Sequence, residues 1–158
     1  MNVTILCVGK LKQTWEKEAC NEYLKRLTRY GRFDVVEVED CPEPAKPSAA
    51  LAKQVIDREG ALLLRQIKPA DRVVALCIGG RSYDSPGLSA QLSDWAMEGR
   101  RVVLVIGGSL GLSDDVLRRA DDRLSFSKFT FPHPLMRVIL LEQVYRACKI
   151  AKNERYHK

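Results

Sequence analysis

The chain has 158 residues, room for one domain and one full hydrophobic core. Apolar residues make up 46% of it and charged residues 29%, which excludes collagen, low-complexity disorder and a disulfide-stapled miniprotein. Twenty-six lysines and arginines stand against 20 acids, and the net charge of +6 favours a polyanionic partner without defining one. The longest near-continuous apolar run, Val73–Ile78, is far too short to span a membrane, so no membrane partner is expected. No basic region precedes Met1-Asn2-Val3-Thr4-Ile5-Leu6, so no signal or transit peptide is expected and the cytoplasm is the expected location. The five cysteines, Cys7, Cys20, Cys41, Cys77 and Cys148, have neither zinc-ligand nor redox-motif spacing, and a reducing compartment suits them. No metal is expected.

Strand and helix patterns alternate along the chain. Asn2–Val8 is a β-rich apolar run ended by Gly9. Trp15, Ala19, Tyr23, Leu27 and Tyr30 then recur at helical spacing. Phe33–Glu39 reads as a strand, and Ser48 as the N-cap of a helix carrying Leu51, Val55, Ile56, Leu62 and Leu63. Val73–Ile78 reads as a buried strand. Ser85 reads as an N-cap before Pro86, with Leu88, Leu92 and Trp95 on one face of the helix that follows. Val102–Ile106 is a second buried-type strand. Ser113 caps a short helix whose first turn holds Asp114 and Asp115, the sign its dipole favours. Arg123–Ser127 is a short strand, and a last helix runs from about Pro134 to about Lys152. Continuous apolar strands alternating with helices predict an α/β fold with a mostly parallel sheet covered on both faces. Ligands of such sheets bind beyond the C-terminal strand ends, here 79–85, 107–112 and 127–133.

Three of these segments carry unusual residues. Ile106-Gly107-Gly108-Ser109-Leu110-Gly111-Leu112 lets backbone approach a ligand closely, but it is not G-x-G-x-x-G, and no acid is placed for a ribose. A plain tight turn explains it about as well. Ser127-Lys128-Phe129-Thr130-Phe131-Pro132-His133-Pro134 brackets a histidine with prolines and places two phenylalanines in a loop. It suits a flat aromatic ligand, or equally a plug of Phe129 and Phe131 in the core. In the last helix Glu142, Arg146, Lys149 and Asn153 share a narrow polar arc. Apolar side chains cover most of the remainder, which predicts burial on more than one side and a subunit contact. Arg137 lies within the apolar arc and in the first turn, where a cation is disfavoured, and such breaches mark functional sites. Residues 137–158 carry a net charge of +4, read either as a solvated face or as a binding patch. The terminal Tyr156-His157-Lys158 reads either as disorder or as a working tail.

Several stretches together resemble the RlmH family. They are Ile5-Leu6-Cys7-Val8-Gly9-Lys10, Val105–Leu112, Leu124–Val138, Glu142-Gln143-Val144-Tyr145-Arg146-Ala147 and Tyr156-His157-Lys158. The similarity covers residues 1–158 with the motifs in order. It implies a SPOUT-class methyltransferase with a C-terminal trefoil knot, working as a homodimer. Such enzymes move a methyl group from S-adenosylmethionine to N3 of a pseudouridine in the 23S rRNA of the ribosome. Carried over by position, the cofactor contacts are Leu76, Gly107, Phe126, Ser127, Lys128, Phe129, Thr130 and Phe131. Candidate catalytic groups are Glu142 and His157 for the proton, Arg137 for charge stabilisation and Tyr156 for stacking or orientation, with His133 shaping the pocket. Where some relatives have a lysine, this chain has Arg81, which keeps the charge. Two competing readings stand beside this one. A Rossmann-like enzyme would require nicotinamide-cofactor binding. A non-catalytic ribosome-binding module would bind RNA without methyl incorporation.

Overall fold

A computed structural model describes residues 1–46 and 48–156, over which five strands alternate with five helices. They are β1 (Asn2–Val8), α1 (Thr14–Leu27), β2 (Arg32–Val38), α2 (Ala49–Arg65), β3 (Arg72–Ser82), α3 (Ser85–Met97), β4 (Val102–Ile106), α4 (Asp114–Arg119), β5 (Asp122–Ser125) and α5 (His133–Ala151). The strands form one sheet in the order β2-β1-β4-β3-β5, and every pairing is parallel. The sheet is therefore more uniform than the mostly parallel one expected.

Both faces are buried, as the continuous apolar runs require. Val3, Ile5 and Cys7 of β1 and Val102, Leu104 and Ile106 of β4 point into a core shared with α1, α3 and α5. Leu6, Val8, Val103 and Val105, the alternate residues, pack on the opposite face with Leu63 of α2 and Val116 of α4. This period-2 division places β1 and β4 at the centre of the sheet.

The helix starts follow their caps. Ser48 accepts a hydrogen bond from the Leu51 amide at 3.1 Å, and Ser113 accepts one from Val116 at 3.3 Å. At α3 the cap is Asp84, not Ser85: its carboxylate accepts from the Gly87 amide at 2.7 Å. The Ser85 hydroxyl instead donates to Gln143 Oε1 at 3.2 Å, tying α3 to α5. Trp15, expected on the buried face of α1, is 53% exposed, and Cys20 and Leu27 carry that face.

Strand β3 runs further than its apolar pattern predicts. Its buried part ends at Ala75, and Ile78 is 58% exposed. Leu76 and Arg81 both pair with Leu124 of β5, so residues 77–80 bulge outward between them. Gly80 makes this return possible, because a Cβ there would lie 2.6 Å from the Leu124 carbonyl carbon.

At the opposite pole, the strand beginnings are held by ion pairs. Arg101 bonds Asp71 at 2.5 Å, Arg72 bonds Asp122 at 2.5 Å, and Arg100 lies 3.6 Å from Asp121. Much of the arginine content is thus neutralised far from the strand ends where a ligand of this fold class binds.

The apolar circumference of α5 has an internal explanation. The helix lies between α1 and α3 on the sheet, with Leu140 and Leu141 at 0% exposure and Val144 at 1%. These residues are covered by their own chain, so the apolar arc by itself does not call for a second subunit.

Candidate functional site

The C-terminal ends of β3, β4 and β5 open on a crevice of about 830 Å³. Leu76, Cys77 and Ile78 line it from β3, and Ile106 and the 107–112 turn line it from β4. Residues 124–127 and 129–132 follow from β5, and His133, Pro134 and Met136 close it at the start of α5. This is the position at which open parallel sheets bind ligands.

The turn wall is backbone. A Cβ on Gly107 would lie 2.7 Å from the Gly111 carbonyl oxygen, too close for any side chain. The Gly111 amide donates to Gly108 O at 3.1 Å, and Gly111 has a φ of +94°. The opposite wall is the segment after β5. Ser125 Oγ donates to Ser127 O at 3.2 Å, and the Phe129 amide donates to Ser127 Oγ at 3.0 Å, which shapes the turn. Phe126 packs on the core, whereas Phe129 is 79% exposed and leans on the crevice mouth. Phe129 is therefore no core plug. Lys128 is exposed and absent from the lining, while its seven companions in the expected cofactor set all line the crevice.

His133 sits half-buried at the crevice floor. An ideal Cβ on Gly9 would lie 3.5 Å from its Nε2. Burial, then the Arg137 cation, pushes its pKa below the ordinary value, so the imidazole is neutral at pH 7.

Arg137 lies beneath the crevice and does not line it. Helix α5 begins at His133, with Pro132 as its N-cap, so Arg137 is past the first turn in which it was expected. Its guanidinium is 1% exposed, pairs with Glu37 of β2 and donates to Gly9 O at 2.9 Å. This clamp joins α5 to the ends of β1 and β2. Arg137→Ala should lower stability by about 3 kcal/mol, because it strands a partly buried carboxylate and a buried carbonyl. Thermal unfolding monitored by circular dichroism checks this, and an unchanged midpoint would contradict it.

Glu142 lies nine residues beyond His133, about 14 Å along the helix. It accepts from Arg146 Nη2 at 2.5 Å, from Gln143 Nε2 at 2.6 Å and from the Tyr156 hydroxyl at 3.2 Å. The Tyr156 ring stands edge-on to Tyr145 at 5.0 Å, under the Arg146 guanidinium at 4.7 Å. Burial, then the Glu142 charge, pushes the Tyr156 phenol up to about 12, so it is a donor and not a base at neutral pH. The helix before it ends in a Schellman motif. Asn153 has a φ of 53°, its amide donates to Ile150 O at 2.9 Å, and the Glu154 amide donates to Lys149 O at 2.9 Å. The Glu154 carboxylate then accepts from Tyr30 at 2.9 Å and Lys149 at 2.5 Å. His157 lies outside the described residues. Arg137, Arg146 and Lys149 are paired with acids, which leaves Lys152 and Arg155 from the basic patch read there; Lys158 lies outside the described residues.

Two groups of expected residues are thus separated within one chain. Leu76, Gly107 and the 126–131 segment form the crevice, and Glu142 and Tyr156 form a cluster further along α5 that does not line it. The sequence pattern missed Cys77, Ile78 and Met136 as crevice residues. The adjacent Gly79-Gly80 was the available signal that β3 leaves the core early.

An all-parallel sheet with a glycine-walled crevice at its strand ends defines a ligand-binding α/β protein. Residues 1–157 match the family described as predicted SPOUT methyltransferase. A protein of Bifidobacterium animalis subsp. lactis named ribosomal RNA large subunit methyltransferase H is 49% identical, with 100% of both chains covered. Proteins of the same name from Clostridium novyi and Desulfitobacterium hafniense are 48% and 46% identical; each match covers 100% of this chain, and 100% and 99% of those proteins. The chain belongs to the RlmH family of SPOUT methyltransferases.

Proposed function

We propose that this chain, a single SPOUT-type domain over residues 1–158, methylates N3 of a pseudouridine in 23S rRNA of the large ribosomal subunit. S-Adenosylmethionine is the donor, and the enzyme works in the cytoplasm as a homodimer. The observation that carries this is the crevice. Seven of the eight residues that the family resemblance assigns to the cofactor line it, and its wall at Gly107 is bare backbone. The apolar surfaces of Leu76, Ile106, Phe126 and Phe131 suit an adenosyl group, and the turn amides suit its polar edge.

When bound, S-adenosylmethionine supplies an electrophilic methyl group on a sulfonium. The chain's own task is positioning and proton handling. Leu76, Gly107 and the segment Phe126, Ser127, Lys128, Phe129, Thr130 and Phe131 hold the donor. His133, kept neutral, shapes the floor without adding a cation there. The N3 proton of a uracil-type ring must leave, and His157 or Glu142 takes it while Tyr156 orients the ring. Arg137 acts on the crevice through His133 and the Gly9 turn, as a positioning residue. Lys152, Arg155 and Lys158 meet phosphate. No step requires a metal.

Because Glu142 and Tyr156 stand apart from the crevice of their own chain, they would meet the donor in the crevice of a second copy. That separation supports the homodimer better than the apolar arc of α5 does. The family's trefoil knot belongs to this reading as well. After β5 at one sheet edge, the chain crosses the ends of β3 and β4, and Arg137 is fastened at the ends of β1 and β2.

Calorimetric titration tests the donor assignment. S-Adenosylmethionine and its demethylated product should bind without added metal, and NAD should give no heat. Binding of NAD alone would favour the Rossmann-like alternative. Gly107→Ala should weaken donor binding by more than about tenfold, since its Cβ meets the fixed Gly111 carbonyl, while the circular dichroism spectrum is retained. Wild-type affinity in that variant would place the donor elsewhere.

A further inference from the structure

Glu59 of α2 lies under the crevice turn, on the side away from the ligand space. It is 4% exposed, and its Oε1 accepts from the Cys41 amide at 2.9 Å. Its Oε2 is buried and has no hydrogen-bond partner among the described residues. That oxygen touches the turn: a Cβ on Gly108 would lie 2.7 Å from it. The next residue, Gly60, is in close contact with Ser113, the cap at the far end of the same turn. Ser109 in the middle of the turn donates to Glu43 Oε1 at 2.5 Å, so the 41–43 segment is fastened to the turn from the other side.

An ionised carboxylate is a poor occupant of this position. One oxygen is left without a donor, and such a vacancy in a buried anion is costly. The charged groups facing it are Asp40 and Glu43 from the segment after β2, both acids. Val8 Cγ1 lies beside the same point of the Gly108 turn, and no cation is among the charged groups that act on the carboxyl. A neutral carboxylic acid suits the site better, because it buries no charge there while its other oxygen keeps the Cys41 amide.

We propose that Glu59 is a positioning residue that braces the Gly108–Gly111 turn as a neutral acid, so that its ionisation loosens the turn and weakens donor binding. The inference rests on the crevice being the donor site. Burial, opposed by the Cys41 amide and reinforced by Asp40 and Glu43, raises the carboxyl above its ordinary value of 4.5. The sign follows: the folded state holds this proton more tightly than the unfolded chain does. The brace is intact at low pH and is lost as pH rises through the raised value.

The test uses the full-length protein, titrated with S-adenosylmethionine by calorimetry from about pH 5 to about pH 8, together with hydrogen exchange of the 108–112 amides in the cofactor-free protein. The wild type should lose roughly tenfold in affinity as the pH rises across the range, with faster intrinsic-rate-corrected exchange of the turn. Glu59→Gln, the neutral isostere, should keep the low-pH affinity throughout and flatten both profiles. Glu59→Ala should bind weakly at every pH. An unchanged pH profile in Glu59→Gln, or weak binding by Glu59→Gln at low pH, overturns the proposal. Failure of the wild type to bind at any pH would instead overturn the donor assignment on which the proposal rests.

Discussion

A chain truncated before Arg155 should lose methyl transfer to ribosomes by at least about 100-fold, the effect of removing a positioned acid–base group. Donor binding should persist, because every crevice-lining residue precedes position 137. The fold persists too, with a modest stability loss. The Schellman motif and the Glu154 contacts to Tyr30 and Lys149 remain, and of the described residues only Arg155 and Tyr156 are removed. Tyr156 contributes one edge-on contact with Tyr145 and one hydrogen bond, so the melting midpoint falls slightly. His157→Ala alone separates proton handling from phosphate binding. A base should depress the rate at every ionic strength, whereas a phosphate contact should mainly change the salt dependence. Full activity in the truncated chain would show the tail to be dispensable and would return Tyr156 and His157 to ordinary surface roles.

Leu140→Asp should abolish folding. The side chain is 0% exposed between α1, α3 and the sheet among apolar neighbours, and Arg137, one turn earlier, is already engaged by Glu37 and Gly9 O. An unpaired buried carboxylate together with the lost leucine costs on the order of 5 kcal/mol or more, comparable with the whole stability of a domain. Absence of a cooperative thermal transition is the expected result. Ile139→Asp, one position along on the half-buried outer side, should fold and loosen the proposed dimer, read as a lower mass in light scattering. A folded, monomeric Leu140→Asp protein would mean that α5 meets a partner on the very face assigned here to the core.

The sequence revealed the centre of this fold better than its edges. Strands β1 and β4 have the bounds read from their apolar runs, because residues buried on both faces leave no polar interruption. Edge strands β2 and β5 carry Asp34, Glu37, Asp122 and Arg123, and their limits shifted by one or two residues. The end of β3 was hidden because Leu76-Cys77-Ile78 looks like core whether it faces a helix or a crevice. In the site, the glycine turn and the Phe126–Phe131 segment were legible because glycines and paired phenylalanines are unusual in such loops. Arg137 was legible as an anomaly but not in its role: its partner Glu37 lies 100 residues away in sequence. Glu59 left no trace in the pattern, since a glutamate in an amphipathic helix is expected to face water.

Transfer of a labelled methyl group tests the proposed activity most directly. Ribosomes from cells lacking this protein are incubated with the purified enzyme and methyl-labelled S-adenosylmethionine, and the 23S rRNA is digested to nucleosides. The account predicts label in a single nucleoside, 3-methylpseudouridine, with none from ribosomes of cells that retain the protein. Binding to ribosomes without incorporation, or label in any other nucleoside, would contradict it.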